Sequence, residues 1–259
     1  MKRIIKAIRV RMVYALKAIY LTFKGKTNVG YCYVCGKKTL FAEYGPALRD
    51  SYACVRCNSR PRQRALMKVL DEQFPAWRSL SIYESSPSGP CSARLNKHCQ
   101  NYDKSQYFED LPQGKSKNGF RCENLEELTM ADCSYDLVIT QDVFEHVLNP
   151  RKAFAEVARV LKPGGAHVFT VPMFDQAATV VCAEDGGGGG IRHLKEPSYH
   201  RNPVDPNGSL VVTEWGRDLL EIITQCSNLN SEVILCRDRK LGLDGRLLEV
   251  IVSTRPNQS

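Results

Sequence analysis

The stretch CENLEELTMADCSYDLVITQDVFEHVLNPRKAFAEVARVLKPGGAHVFTVP, residues 122–172, decides the fold. Two short apolar runs, 135–140 and 165–171, flank a segment, 150–161, whose apolar residues recur at helical spacing. That segment opens on Pro150, a residue pre-set for the first helical position, and ends in Lys162-Pro163-Gly164-Gly165, a strong helix stop. Strand, helix, strand in this order predicts parallel pairing with the helix laid over one sheet face.

Working outward, LSIYE at 80–84 reads as an earlier strand, preceded by a helix at 61–74 that starts at Pro61. Downstream come a helix at 214–226 and strands at 232–237 and 246–254. About eight residues separate those last strands, too few for a helical crossover, so they are expected to pair antiparallel at the sheet edge. The fold class is therefore α/β: doubly wound and mostly parallel, with an antiparallel C-terminal edge hairpin. Between strand and helix, residues 172–213 form a long insert with five consecutive glycines (Gly186 to Gly190), expected to act as a lid.

Near the N-terminus, Cys32-Tyr-Val-Cys35 and Cys54-Val-Arg-Cys57 are two CxxC pairs eighteen residues apart. Each CxxC turn aims two thiolates at one point, and two such turns complete a tetrahedral zinc site. Four protein sulfurs leave no open position, so the predicted role is structural, with metal binding contributing on the order of 10 kcal/mol to a small zinc ribbon at 27–60. The remaining seven cysteines form no spaced cluster and read mostly as core packing.

The net charge is +8, unevenly placed. Residues 1–26 hold eight Lys or Arg and no acid, with Ile4, Ile8, Met12, Leu16, Ile19 and Phe23 at helical spacing. This predicts a basic amphipathic helix over 2–24, docked on an anionic bilayer surface, on the protein itself or on a partner. Charges interrupt the run too often for a membrane span. No cleavable signal is visible, and the cysteines read as cytosolic thiols, so a cytoplasmic protein is expected, peripheral to a membrane if the helix binds one. Residues 71–259 hold more acidic than basic residues, which weakens any picture of nucleic acid lying across the larger domain, expected at 61–259.

The 122–172 stretch resembles the core of the small-molecule class I S-adenosylmethionine-dependent methyltransferases of the "type 11" kind, which pair an acidic-Asp-Leu strand with a Leu-Lys-Pro-Gly-Gly turn. The likeness extends over roughly residues 80–175. It implies a seven-stranded sheet and S-adenosylmethionine as cofactor, held along the carboxyl ends of the strands. Asp103, followed two residues later by Ser105, matches the carboxylate that grips the ribose hydroxyls. Asn124 and Leu125 stand where an acid and a small apolar residue read the adenine edge, and Gln141 and Asp142 are delivered to the crevice by the strand before them. In the first loop Glu84 supplies the family's acid. Ser86 and Ser88 replace its glycines, Gly89 is offset, and Pro87 and Pro90 remove two N–H donors. That loop either holds the cofactor in an altered way or does not hold it.

Methyl transfer from a sulfonium needs alignment and exclusion of water more than covalent help. A hydroxyl acceptor gains from a nearby base. His200, beside Tyr199 in the insert, is the first candidate, followed by His146, which with Glu145 reads more readily as capping the next helix, and His193. The Asn/Asp-Pro-Pro-aromatic tetrapeptide of amino-methylating DNA enzymes is replaced by Gln141-Asp142-Val143-Phe144. The expected acceptor is thus a small molecule, saccharide or lipid-linked group. An RNA methyltransferase using the basic ribbon as substrate arm, and a non-catalytic adaptor, remain the alternatives.

Overall fold

The computed structural model describes residues 13, 16–202 and 205–257. Residues 16–23 form a helix, the first continuous described segment. Ala18 and Leu21 of that helix are buried beside Ala42, while Leu16, Ile19 and Phe23 are exposed. The apolar stripe anticipated from spacing therefore faces outward, and a narrower face docks. Ile4, Ile8 and Met12 lie outside the described residues.

A three-stranded antiparallel sheet follows: β1 (Thr27–Cys32), β2 (Lys37–Glu43) and β3 (Tyr52–Cys54), with the short α1 (Leu48–Ser51) before β3. Helix α2 (Pro61–Gln73) buries Leu66, Val69 and Leu70. Then come β4 (Ser81–Ser85), α3 (Gly89–His98), β5 (Asn101–Gln106), β6 (Ser116–Lys117), β7 (Phe120–Cys122), β8 (Tyr135–Gln141), α4 (Pro150–Val160) and β9 (Leu161–Thr170). The insert contains β10 (Val180–Val181), β11 (Ala183–Gly187), β12 (Gly190–His193), β13 (Tyr199–His200), β14 (Ser209–Leu210) and β15 (Thr213–Glu214). Helix α5 (Leu219–Ser227) and strands β16 (Asn230–Leu235) and β17 (Glu249–Thr254) complete the chain.

The main sheet runs β16-β17-β9-β8-β4-β5-β7-β6. It has eight strands rather than seven, because the two-residue β6 hairpins back onto β7. Strands β5, β4, β8 and β9 are mutually parallel, and β17 lies antiparallel between β9 and β16. Alternate residues of each central strand enter two different cores. Ile82, Leu137, Ile139, Val168, Val250 and Val252 pack with α2, α3 and the ribbon. Tyr83, Val138, Phe169 and Ile251 pack with α4 and α5 through Phe154, Val157, Leu219 and Ile223. A sheet covered on both faces explains why its strands read as continuous apolar runs.

The ribbon is tied to the larger domain by Arg64 of α2, which is fully buried. Its guanidinium donates to the carbonyls of Tyr52 (2.8 Å), Ser59 and Gly242, and lies over the Phe41 ring. Gly242 has φ +67°, and a side chain there would collide with that same Phe41 ring, so the loop approaches only because it carries glycine.

Two expectations change. Helix α5 starts at Leu219, later than expected, because Thr213 and Glu214 pair with β10 and Trp215 is buried against Phe154. The insert is a set of small antiparallel hairpins rather than an open loop, with the glycine run forming the β11–β12 turn. No described helix is long and apolar enough to cross a membrane.

Candidate active site and metal centres

The chain leaves β4 toward β5 through α3 and returns from β7 to β8 on the other side of β4. Such a reversal opens a crevice at the carboxyl ends of β4 and β8. Glu84, fully buried there, accepts from Ser92 Oγ (2.6 Å), Tyr102 OH (2.5 Å) and Gln141 Nε2 (2.7 Å). Burial raises its pKa, against the pull of those three donors. The structure thus brings Glu84 and Gln141 together. Ser86 takes a left-handed turn (φ +53°) and its N–H donates to Ser105 O. Gly89, at φ +73°, begins α3, where Gln63 of α2 lies so close that a Cβ would strike it. The first turn of α3 presents backbone N–H groups that the helix itself leaves unpaired.

Asp103 is not brought to this crevice. It pairs with Tyr83 in the middle of the sheet, and its carboxylate accepts from Tyr135 OH at 2.9 Å. Strand β5 continues to Gln106, so Asp103 stands roughly 10 Å short of the strand's end. The residues delivered to the edge are instead Gln106 and the half-exposed Tyr107. Sequence reading missed both; an aromatic next to a strand end was the available signal. Asn124 does lie just past β7, with its Oδ1 accepting from Glu126 N (3.0 Å) and its own N–H donating to Gln113 (3.2 Å). Leu125 beside it is buried.

Beyond β8, Asp142 (φ +52°) accepts from Arg49 Nη2 (2.7 Å), Arg62 Nε (2.9 Å) and Thr170 Oγ1 (2.9 Å). Burial pushes its pKa up, but the two guanidiniums outweigh burial and the net shift is downward. A carboxylate so engaged holds Arg49 of α1 and Arg62 of α2 over the crevice rather than taking protons.

Next to it lies a second polar centre. Glu145 is 1% exposed. Its Oε1 lies 3.8 Å from His146 Nε2 and 3.8 Å from Nδ1 of His200, which the β13–β14 hairpin carries. Burial, then Asp142, drive the Glu145 pKa well up; burial lowers both histidines. His193 is exposed at the end of β12, in a separate hairpin. His167 is a further buried histidine, stacked on Phe169 and hydrogen bonded to Thr140, and belongs to the core.

The four paired cysteines converge. Gly36 N donates to Cys32 O and Asn58 N to Cys54 O, each at 2.8 Å, and Gly36 and Asn58 share a left-handed φ of +63° and +60°. Each pair is therefore followed by the same turn. The four sulfurs lie within 4.8 Å of one another, and Cys32 and Cys57 are 3.7 Å apart. That is close to the edge of about 3.8 Å for a tetrahedron of sulfurs 2.3 Å from zinc, and far too long for a disulfide. The donor set fits a structural zinc ion.

Among known proteins, residues 88–169 match the model of a family described as a methyltransferase domain. Over 50 residues, 19% of this chain, the sequence is 52% identical to dimethylglycine N-methyltransferase of Parasynechococcus marenigrum. Over 111 residues, 41% of this chain, it is 48% identical to sarcosine/dimethylglycine N-methyltransferase of Aphanothece halophytica. These matches span 18% and 36% of the two relatives' own lengths. An S-adenosylmethionine dependent methyltransferase from Mesorhizobium loti of known structure is 15% identical over 74% of this chain and 97% of its own, with a TM-score of 0.47. The matched segment runs from the start of α3 through β9, so the likeness to a methyltransferase domain falls on the central part of the main sheet.

Proposed function

We propose that this protein transfers a methyl group from S-adenosylmethionine to a small-molecule acceptor, which includes a saccharide or a lipid-linked group, beneath a zinc-held ribbon. The observation that carries this reading is the pairing of two polar centres at one end of the sheet: Glu84 with Gln141 beside the start of α3, and Glu145 with His146 and His200 beyond Asp142. When bound, the cofactor supplies an electrophilic methyl on sulfur. The first-turn N–H groups of α3 hold its carboxylate, with Glu84, Ser86 and Gly89 shaping that end. Tyr107, Asn124 and Leu125 take the adenine, and Gln106 reaches the ribose where Asp103 does not. His200, with His146 behind it, faces the acceptor. Arg49 and Arg62, locked by Asp142, close the crevice against water.

The relatives' names, dimethylglycine and sarcosine N-methyltransferase, support an acceptor of small-molecule size. The test is incubation of the full chain with methyl-tritiated S-adenosylmethionine and a panel of small amines and saccharides. Label transfer that His200→Ala abolishes is expected; no transfer to any acceptor would contradict the reading.

One observation favours a second partner. A groove of about 990 Å³ between the ribbon and α3 is lined by Arg56, Lys97 and His98, and by Arg78 and Arg94, which pair with Asp71. It suits a polyanion such as RNA, and RNA binding with a steep salt dependence would sharpen the ribbon's role. The exposed stripe of Val13, Leu16, Tyr20 and Phe23 supports docking of the N-terminal helix on an anionic membrane, readable by liposome flotation.

A further inference from the structure

Glu145 is the anomaly of the molecule: a carboxylate 1% exposed whose two oxygens have no hydrogen-bond partner among the described residues. Buried carboxylates are normally paired with donors, and one left bare points to something that completes it. Its neighbours do not supply that donor. The His146 Nδ1 lies 2.7 Å from Leu210 O, a carbonyl that only accepts, so Nδ1 carries the hydrogen and Nε2 of the neutral ring is a lone pair. That lone pair stands 3.8 Å from Glu145 Oε1. His200 Nδ1 stands 3.8 Å from the same oxygen, and the two imidazoles meet edge to face at 5.0 Å. The three ligand atoms lie within 4.8 Å of one another.

We propose that Glu145, His146 and His200 bind one divalent transition-metal cation, as a two-histidine, one-carboxylate centre with open positions. Bonds of about 2.1 Å require ligand atoms roughly 3.0–3.4 Å apart, so each 3.8 Å separation from Glu145 must close by about 0.4–0.8 Å and the two histidine nitrogens, within 4.8 Å of each other, by up to about 1.8 Å. His200 has room to do so, being 45% exposed on a hairpin. The His146–Leu210 hydrogen bond is the outer contact that metal-binding histidines characteristically make. Glu145 O also accepts from Val212 N at 2.8 Å, which straps the insert to the ligand turn. The nearby cations Arg49 and Arg62 are engaged by Asp142, so they do not oppose a second positive charge unscreened. Open positions on the His200 side suit a water or an acceptor oxygen, which the cation would polarise. Only that last role rests on the proposed methyl transfer; binding itself does not.

The test is calorimetric titration of Co²⁺ into the full chain with its cysteine site already loaded with zinc. One further site is expected. Glu145→Gln and His200→Ala are each expected to weaken it by about tenfold or more, while His193→Ala leaves it unchanged. Zinc content and circular dichroism of each variant confirm that the ribbon and fold persist. The proposal is overturned if the zinc-loaded protein takes up no further cobalt at millimolar concentration, or if both variants bind as tightly as the parent. Cobalt binding without methyl transfer to any acceptor would break the functional reading and leave the metal centre standing.

Discussion

The cysteine cluster and the Glu145–His146–His200 centre are built on opposite plans. In the first, ligands come as two adjacent pairs on matching turns, four sulfurs of one kind that close on themselves. In the second, two neighbours on the turn after β8 wait for one residue from a hairpin more than fifty positions away, with His200 open to solvent. A closed set of four ligands holds a fold together, whereas a three-ligand set with an open side is arranged to receive something. On the proposed reading the ribbon stabilises and covers, and the insert delivers chemistry.

The sharpest way to break this comparison is to remove one sulfur. Cys54→Ser, or exhaustive zinc chelation, is expected to forfeit on the order of 10 kcal/mol of metal-coupled folding energy in the ribbon. Loss of β1–β3 order, read by thermal unfolding alongside zinc content, checks it; a ribbon that stays folded without metal would remove its structural role. A smaller effect is expected at the joint between the two regions. Asp142→Asn leaves Arg49 and Arg62 facing a neutral partner and is expected to cost about 2 kcal/mol in urea unfolding. The pH dependence has a definite sign. The Asp142 pKa is lowered in the fold, so its contribution is complete above the ordinary carboxylate range and lost as pH falls toward its folded value. Asp142→Asn should therefore flatten the acid limb of the stability curve. The smallest effect is expected for His193→Ala, within about 0.5 kcal/mol of the parent and without change in methyl transfer, because its side chain is exposed on the β11–β12 hairpin.

The legibility of each part follows from how local its determinants are. The CxxC pairs announce themselves because each half-site sits within four residues. Strands β4, β8 and β9 were readable because burial on both faces makes them apolar throughout. Asp103 misled because its acid-x-Ser pattern carries no register. Pairing with Tyr83 places it mid-strand, and a strand reaching on to Gln106 hands the edge to other residues. Glu145 read as a helix cap because the sequence gives no hint that a hairpin from the insert seals it in. The five glycines read as loop, but they close the β11–β12 hairpin, with Gly186, Gly187 and Gly190 inside its strands.

The central claim is that a cofactor crevice lies at the carboxyl ends of β4 and β8. Calorimetry of S-adenosylhomocysteine with the zinc-loaded full chain tests it most directly. One-site binding is predicted, weakened about tenfold by Glu84→Ala and unaltered by Asp103→Asn. Absence of binding at millimolar ligand, or equal weakening by both variants, would contradict it.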